Sequence, residues 1–198
     1  SLSGNGAGLD QARPNFVRLA PLYRALAASA RIQPYFVHTG QHYDQALSAV
    51  FLEQLGLPPP AFELAVGSGS HGEQTGAILT RFEPVLSAVQ PHVVVVVGDV
   101  NSTLACSIVA KKLCIPVAHV EAGLRSGDMS MPEEINRLVT DAISDWFFVT
   151  EPSGTQHLLR EGKDASRVHD VGHVMADNVL FQAHKLEGMD TSSYETDA

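Results

Sequence analysis

Two carboxylates stand where two predicted strands end. Asp99 follows the apolar run Val93–Val97, and Glu121 follows the short apolar segment Val117–Val120. Apolar runs without alternation are typical of strands that are buried on both faces of a parallel sheet. The carboxyl ends of parallel strands meet at one edge, which is where open α/β sheets bind ligands. We therefore predict that both carboxylates face one crevice and transfer protons there.

A third acid and two arginines lie in the same stretch of sequence. Glu133 opens the next predicted helix, with Arg125 before it and Arg137 within it. Carboxylates serve as general acids and bases, and arginines bind phosphate groups. Each of these residues also has a structural alternative. A strand-end carboxylate often caps a helix or pairs with an arginine, and Ser130-x-x-Glu133 has the form of a capping box.

The segment Gly67–Gly72 matches the dinucleotide-binding pattern G-x-G-x-x-G. It lies between a predicted strand and a predicted helix, and Asp99 ends the following strand, as a ribose-binding acid would. The acid comes later than the usual spacing of about 20 residues, and the preceding strand is short. We interpret the segment as a flexible loop near a ligand and keep a dinucleotide-dependent oxidoreductase as an alternative function.

Strands and helices alternate along the whole chain, which predicts a doubly wound parallel sheet in one domain. We expect a helix from Pro14, a second helix that Pro84 kinks or splits, and a third whose buried face includes Ile135 and Val139. In the usual strand order the first strand lies mid-sheet, yet the residues before Arg13 have loop composition. The predicted strands cover residues 33–39, 61–66, 93–97, 117–120, 146–150 and 168–171.

Composition excludes several classes of partner. The chain has 198 residues, of which 44% are hydrophobic, and a formal net charge of −9. No basic block suggests nucleic acid or an anionic membrane, no run reaches a membrane span, and no signal peptide is visible, so the cytoplasm is the default location. The histidines form no metal-binding pattern. We expect Cys106 and Cys114 to be buried free thiols, and His119 to be a core histidine with one satisfied nitrogen.

A set of motifs in this order closely resembles the UDP-N-acetylglucosamine 2-epimerase family: ARPNFVRLAPL, TGQHYD, VVVGDVNSTLA, IPVAHVEAGLRSGD, MPEEINR and FVTEPS. The resemblance implies two Rossmann-like domains in the glycosyltransferase-B arrangement, with a nucleotide sugar in the cleft between them. On this basis residues 13–186 are the amino-terminal epimerase domain, residues 1–12 an irregular leader and residues 187–198 an unstructured tail, and the second domain is missing.

The resemblance also implies the reaction. The family converts UDP-GlcNAc to UDP-ManNAc without a redox cofactor or a metal, by eliminating UDP to give 2-acetamidoglucal and adding it back. This chemistry supplies precursors of cell-surface polysaccharides. Matched by motif, the acid/base carboxylates are Asp99, Glu121 and Glu133. The substrate contacts implied or suggested by position are Arg13, Arg18, Gln41, His42, Ser102, Arg125 and Arg137. The hydrolysing variant, which releases ManNAc and UDP, stays an alternative, and a homodimer stays open.

The sequence departs from the family pattern in three places. The apolar first strand and the glycine before its Ala-Arg-Pro turn are missing, and Gln11 stands there instead. His173 replaces an asparagine in the Val-Gly-Asn motif. The carboxyl-terminal domain, which in the family holds most of the uridine and pyrophosphate contacts, is missing as well. We therefore expect the isolated chain not to turn over UDP-GlcNAc.

Overall fold

The computed structural model describes residues 7–40 and 52–187. The predicted contacts Gln41 and His42, and the predicted tail beyond residue 187, lie outside these residues. The described helices and strands are α1 Ala7–Ala27, β1 Val37–His38, β2 Phe62–Glu63, α2 His71–Val89, β3 Val94–Val97, α3 Asn101–Lys112, β4 Val117–Val120, α4 Pro132–Ile143, β5 Trp146–Val149, α5 Pro152–Arg160, β6 Val168–Asp170 and α6 Val174–Glu187.

All strand pairs in the described residues are parallel, which confirms the predicted α/β class. The strands form two sheets, β1–β2 and β3–β4–β5–β6. In the usual order 3-2-1-4-5-6 one further strand would lie between them. The prediction of burial on both faces of the valine run is wrong, since Val93 and Val95 are 39% and 37% exposed. Within the described residues β3 has a strand partner on one side only.

Helix α1 begins earlier than predicted. It starts at Ala7, so the expected irregular leader is wrong for residues 7–12. Alanine, leucine and glutamine in this segment all favour helix. The helix continues through Pro14, where it was expected to begin. A proline removes one backbone hydrogen bond, and a long helix tolerates that loss where neighbouring turns hold.

Helix α2 packs on the valine strand through Ile78, Phe82 and Leu86, which are all buried. Fully burying an aliphatic or aromatic side chain of this size contributes about 1.5–3 kcal/mol. Pro84 does not split the helix, which is continuous from His71 to Val89. This cluster also includes residues of α3 and fixes the position of β3, and therefore the point where β3 ends.

Helix α4 has a polar buried face, opposite to the prediction. Its buried residues are Glu134, Asn136, Thr140 and Asp141. Ile135 and Val139, expected inside, are 43% and 37% exposed. The surface that α4 covers explains why its buried face is polar. Its inner face lies against the polar turns that follow β3 and β4, and these turns require hydrogen-bond partners.

A search of the described helices for a segment long and apolar enough to cross a membrane finds none.

Candidate active site

The turns after β3 and β4 bring Asp99 and Glu121 to the same edge of the sheet. Val97 and Val120 are paired in register, and the Gly98 amide donates to the carbonyl of Val120 at 3.0 Å. Gly98 and Glu121 both have left-handed φ angles, +75° and +68°. This conformation is strained for a glutamate. It is held because the Glu121 and Ala122 amides both donate to the carbonyl of one residue of β5.

Asp99 is a partly exposed carboxylate that is paired with Arg137. The arginine Nε and Nη2 lie 3.0 Å and 2.5 Å from Oδ2 of Asp99. The backbone carbonyl of Asp99 accepts a hydrogen bond from the Asn136 side chain at 2.8 Å. The exposed fraction of the Asp99 side chain is 22%. Arg137 therefore holds the carboxylate of Asp99 and Asn136 holds its backbone, while the carboxylate stays accessible.

Glu121 is nearly buried, with 8% of its side chain exposed. Among the residues that the structure describes, its carboxylate has one ion pair, in which Nη1 of Arg18 lies 3.3 Å from Oε2. Burial is the largest influence and raises the pKa of Glu121. The charge of Asp99 raises it further, while Arg18, His173 and His119 act against this rise without cancelling it. A raised carboxyl pKa favours the protonated form that a general acid requires.

Gly98 makes the approach of Arg18 possible. A Cβ atom at Gly98 would lie 2.9 Å from Nη1 of Arg18 and 3.9 Å from Oε2 of Glu121. Any other residue at this position would therefore push the guanidinium away from the glutamate.

The two neighbouring glutamates of α4 differ sharply. Glu134 is 2% exposed and accepts hydrogen bonds from the amides of Ser126 and Gly127, at 2.9 Å and 3.0 Å, and from Arg137 at 3.0 Å. Burial alone would raise its pKa, but these donors lower the pKa of Glu134 to about 2. Glu133 is half-buried in the first turn of α4. Nothing in the structure tests its predicted catalytic role.

The predicted capping box at the start of α4 is wrong. The hydroxyl of Ser130 donates to Asp128 instead, and the N-cap residue, Met131, has no side-chain cap. The start of α3 also has no side-chain cap. The N-cap residue there is Val100, which makes no side-chain hydrogen bond.

Arg125 does not join the two carboxylates. Its Nη1 lies 2.7 Å from Oδ2 of the buried Asp141, and its Nε and Nη2 bind Glu161 at 2.9 Å and 2.7 Å. Only 9% of its side chain is exposed. Every guanidinium nitrogen of Arg125 is engaged within the protein, and its contact with the substrate stays a prediction.

His119 is a core histidine as predicted, but both of its ring nitrogens have a polar partner where one was expected. Its Nδ1 lies 2.6 Å from Oδ1 of Asp141, and its Nε2 lies 2.8 Å from the carbonyl oxygen of Gly98. Of the two cysteines, Cys106 is buried as predicted and burial raises its pKa to about 12, while Cys114 is exposed.

The remaining predicted contacts are placed less closely. Ser102 is half-buried in the first turn of α3, and Arg13 lies in α1. Sequence reasoning missed the Asn136 contact with Asp99 and the influence of His173 on Glu121. The signal for His173 was its place after a strand, in a motif position that departs from the family.

The segment Gly67–Gly72 leads into a helix whose amino end is capped by a side chain. Ser70 and Glu73 make a reciprocal capping box, with the Ser70 amide 2.8 Å from Oε2 of Glu73. This cap occupies the amino end of α2, where a dinucleotide pyrophosphate would bind. The preceding strand β2 pairs with β1 in the two-stranded sheet and is not a neighbour of β3 among the described strands.

Comparison with known proteins identifies the family. The model of the family described as UDP-N-acetylglucosamine 2-epimerase matches residues 24–196. The chain belongs to the UDP-N-acetylglucosamine 2-epimerase family. The UDP-N-acetylglucosamine 2-epimerase of Methanocaldococcus jannaschii is 48% identical over 168 residues, which are 85% of this chain and 46% of that protein. The UDP-2,3-diacetamido-2,3-dideoxy-D-glucuronate 2-epimerase of Pseudomonas aeruginosa is 44% identical over 88% of this chain and 50% of its own length.

Solved structures agree with this assignment. The structure of the M. jannaschii UDP-GlcNAc 2-epimerase in complex with UDP-GlcNAc and UDP has a TM-score of 0.84 at 45% identity, covering 90% of this chain and 49% of that one. The Neisseria meningitidis enzyme bound to UDP-GlcNAc has a TM-score of 0.82 at 28% identity, covering 88% and 48%. The chain thus has the fold of half of these glycosyltransferase-B-type enzymes, and it spans about half the length of the relatives that it matches.

Proposed function

We propose that this chain supplies the proton-transferring carboxylates for the epimerisation of UDP-GlcNAc at C2, as one half of a two-domain enzyme. One observation carries the proposal. An ion-paired Asp99 and a Glu121 with a raised pKa lie at the ends of adjacent strands, close enough for the charge of Asp99 to act on Glu121. Two carboxyl groups with opposed environments are the usual arrangement for paired acid and base roles.

The reaction would proceed by elimination. A carboxylate removes the proton from C2, the C1–oxygen bond breaks, and UDP leaves with the bonding electron pair, giving 2-acetamidoglucal. In the return step a proton is added to the opposite face of C2 and the UDP oxygen forms a new bond to C1. The configuration at C2 is then inverted, and no net oxidation occurs.

Inversion requires proton transfer on both faces of C2, and hence two groups in different protonation states. Asp99 is oriented by Arg137 and partly exposed, so it can meet the substrate and accept a proton. Glu121 is suited to donate one because burial favours its neutral form. Glu133 stays a proposed third participant on the strength of its motif.

Cations would act on the developing charge. Arg18 lies beside Glu121 and Arg137 beside Asp99, so both remain proposed substrate contacts, together with Arg13, Ser102, Gln41 and His42. Arg125 stays a proposed contact on the strength of its motif, although Asp141 and Glu161 already bind it. We assign most contacts with the UDP leaving group to the half of the relatives that this chain does not span.

A second sugar deserves a direct comparison. The P. aeruginosa relative is named for UDP-2,3-diacetamido-2,3-dideoxy-D-glucuronate and is 44% identical to this chain. That sugar also has an acetamido group at C2, so the same proton transfer at C2 would serve it. The hydrolysing alternative differs only in its second step, in which water rather than UDP meets the intermediate.

The test is a chimera of this chain with the carboxyl-terminal half of the M. jannaschii relative, incubated with each UDP-sugar in deuterium oxide. Because the proton returns from a carboxyl group that exchanges with solvent, the C2-epimer should contain deuterium at C2. Free ManNAc with UDP would indicate the hydrolysing reaction. A folded chimera that binds UDP but forms neither product would contradict the proposal.

The isolated chain serves as a further check. Positioning of bound substrate contributes about 7–11 kcal/mol to such reactions, so a cleft with one wall should be inactive. Turnover near one per second would contradict this expectation. Micromolar binding of NAD(H) or NADP(H) would favour the oxidoreductase alternative. A cytoplasmic location, a role in polysaccharide precursor synthesis and a homodimer stay predictions.

A further inference from the structure

His119 lies beneath both strand-end turns, with a hydrogen-bond acceptor at each ring nitrogen. Nδ1 faces Oδ1 of Asp141 at 2.6 Å, and Nε2 faces the carbonyl oxygen of Gly98 at 2.8 Å. A backbone carbonyl has no hydrogen to donate, and an ionised carboxylate only accepts. Each nitrogen therefore requires its own N–H, whereas a neutral imidazole has only one.

Asp141 is the ionised partner in this pair. Its Oδ2 accepts hydrogen bonds from the amide of Gly123 at 3.0 Å and from Nη1 of Arg125 at 2.7 Å. Burial acts to raise the pKa of Asp141, but the hydrogen bonds and charges of His119 and Arg125 outweigh burial and lower it. A protonated Asp141 that donated to His119 would lose much of this stabilisation.

Water cannot replace either partner, because His119 and Asp141 are both 0% exposed. A bare ring nitrogen facing the Gly98 carbonyl would leave a buried acceptor without a donor, which costs about 1–3 kcal/mol. We propose that His119 is protonated on both ring nitrogens at neutral pH, and that this buried imidazolium is a positioning residue for Asp99 and Glu121.

The contacts explain how it would position them. Gly98, which His119 holds through its carbonyl, directly precedes Asp99 in the chain. Asp141, which His119 holds through its carboxylate, fixes the Gly123 amide at the end of the turn that begins with Glu121. One charged pair therefore ties the two left-handed turns to each other and to α4.

The charge of His119 also acts on Glu121 directly. It lowers the pKa of Glu121 in the same direction as Arg18 and His173, against burial and Asp99. The other charged groups of the network are Asp141 on α4, Arg125 in the loop after β4, and Glu161 after α5. The positioning role rests on the proposed function, because that function makes Asp99 and Glu121 the reacting groups. The protonation state of His119 does not depend on the proposed function.

The first test needs no variant. The full chain, labelled with ¹⁵N in its histidines, is observed by NMR at about pH 8, where an ordinary histidine with a pKa of about 6.5 is neutral. Through-bond correlations from the backbone assign the ring of His119. We expect both of its nitrogens to be protonated. One protonated nitrogen and one bare nitrogen would overturn the proposal.

The second test separates positioning from a general structural role. The carboxyl carbon of Glu121 is titrated by ¹³C NMR in the wild type and in His119→Gln, with His119→Asn as the substitute if the glutamine variant does not fold. Loss of the buried cation should move the midpoint of Glu121 upward. His92→Gln, at an exposed histidine before β3, is the matched control and should leave it unchanged. An unchanged midpoint in a folded His119 variant would overturn the positioning role.

These outcomes are distinguishable from a failure of the proposed function. A doubly protonated His119 together with an inactive chimera would remove only the epimerase assignment. A singly protonated ring of His119 together with normal turnover of the chimera would overturn only the proposal that His119 is an imidazolium.

Discussion

Two buried glutamates, Glu121 and Glu134, lie within one region of the molecule and have opposite surroundings. At the strand ends, Glu121 has one described ion pair, with a partly exposed Arg18, and its pKa is raised. On α4, Glu134 accepts from two backbone amides and from Arg137, and its pKa is lowered to about 2. Burial acts in the same direction on both, so the supply of donors decides the difference.

We propose that this difference separates structural carboxylates from reactive ones. Hydrogen-bond donors around a carboxylate stabilise its charged form. Such a carboxylate in turn holds the chain around it, as Glu134 holds the loop at Ser126 and Gly127. A buried carboxyl group with few donors costs stability, and its raised pKa favours the protonated form that can transfer a proton. The predictions below test this separation.

The largest expected effect is on turnover. In the active chimera, Asp99→Asn and Glu121→Gln should each lower kcat by about 10² to 10⁴, the usual contribution of a positioned acid or base. The measurement is the rate of deuterium incorporation at C2. The same variants should keep the cooperative unfolding of the parent. Near-normal turnover in either variant would remove that residue from the mechanism.

The next effect concerns stability. Glu134→Ala should lower the free energy of unfolding at neutral pH by about 2–4 kcal/mol, because it leaves two backbone amides without their acceptor and removes one of the two carboxylates that Arg137 binds. Denaturant unfolding of the isolated chain measures it. Since the pKa of Glu134 is lowered, its contribution is present above the ordinary value of about 4.3 and is lost as the pH falls through about 2.

The adjacent Glu133→Ala is the matched control for stability. It should change the free energy of unfolding by less than about 0.5 kcal/mol, as is usual for a residue away from a buried network. If Glu133 takes part in catalysis, the same variant lowers turnover in the chimera. Equal losses of stability at the two positions would contradict the separation between them.

The sequence predicted the position of the two carboxylates because strand ends can be read from apolar runs. Asp99 and Glu121 each follow such a run, and parallel pairing then places them on one edge. It did not predict their partners. Arg125 is the arginine nearest to Glu121 in the sequence, yet the guanidinium that pairs with Glu121 belongs to Arg18 on α1. Spacing along a chain does not determine which distant helix packs over a strand end.

The buried face of α4 shows a second limit. Ile135 and Val139 have the spacing of an apolar inner face, but the inner face is polar because it covers polar turns. Periodicity indicates that a helix has two faces, and the surface it meets decides which one is buried. The second hydrogen-bond partner of His119 was missed for the same reason, since Asp141 and Gly98 both lie outside the strand that contains His119.

The smallest expected effect is a gain in stability. Because the pKa of Glu121 is raised, its contribution is present below the ordinary value of about 4.3 and is lost as the pH rises through the folded-state pKa. Glu121→Gln removes the cost of ionising this buried group. We expect its Tm to exceed that of the wild type at neutral pH, with the difference disappearing in acid. A lower Tm at neutral pH would show that the ion pair with Arg18 outweighs burial.

The most direct test is a ¹³C NMR titration that follows the carboxyl carbons of Glu121 and Glu134 in the same sample of the wild-type chain. The structure predicts that Glu121 titrates above the ordinary glutamate value of about 4.3 and Glu134 far below it, near 2. Equal midpoints, or a lower midpoint for Glu121, would contradict the claim that donor supply separates the reactive carboxylate from the structural one.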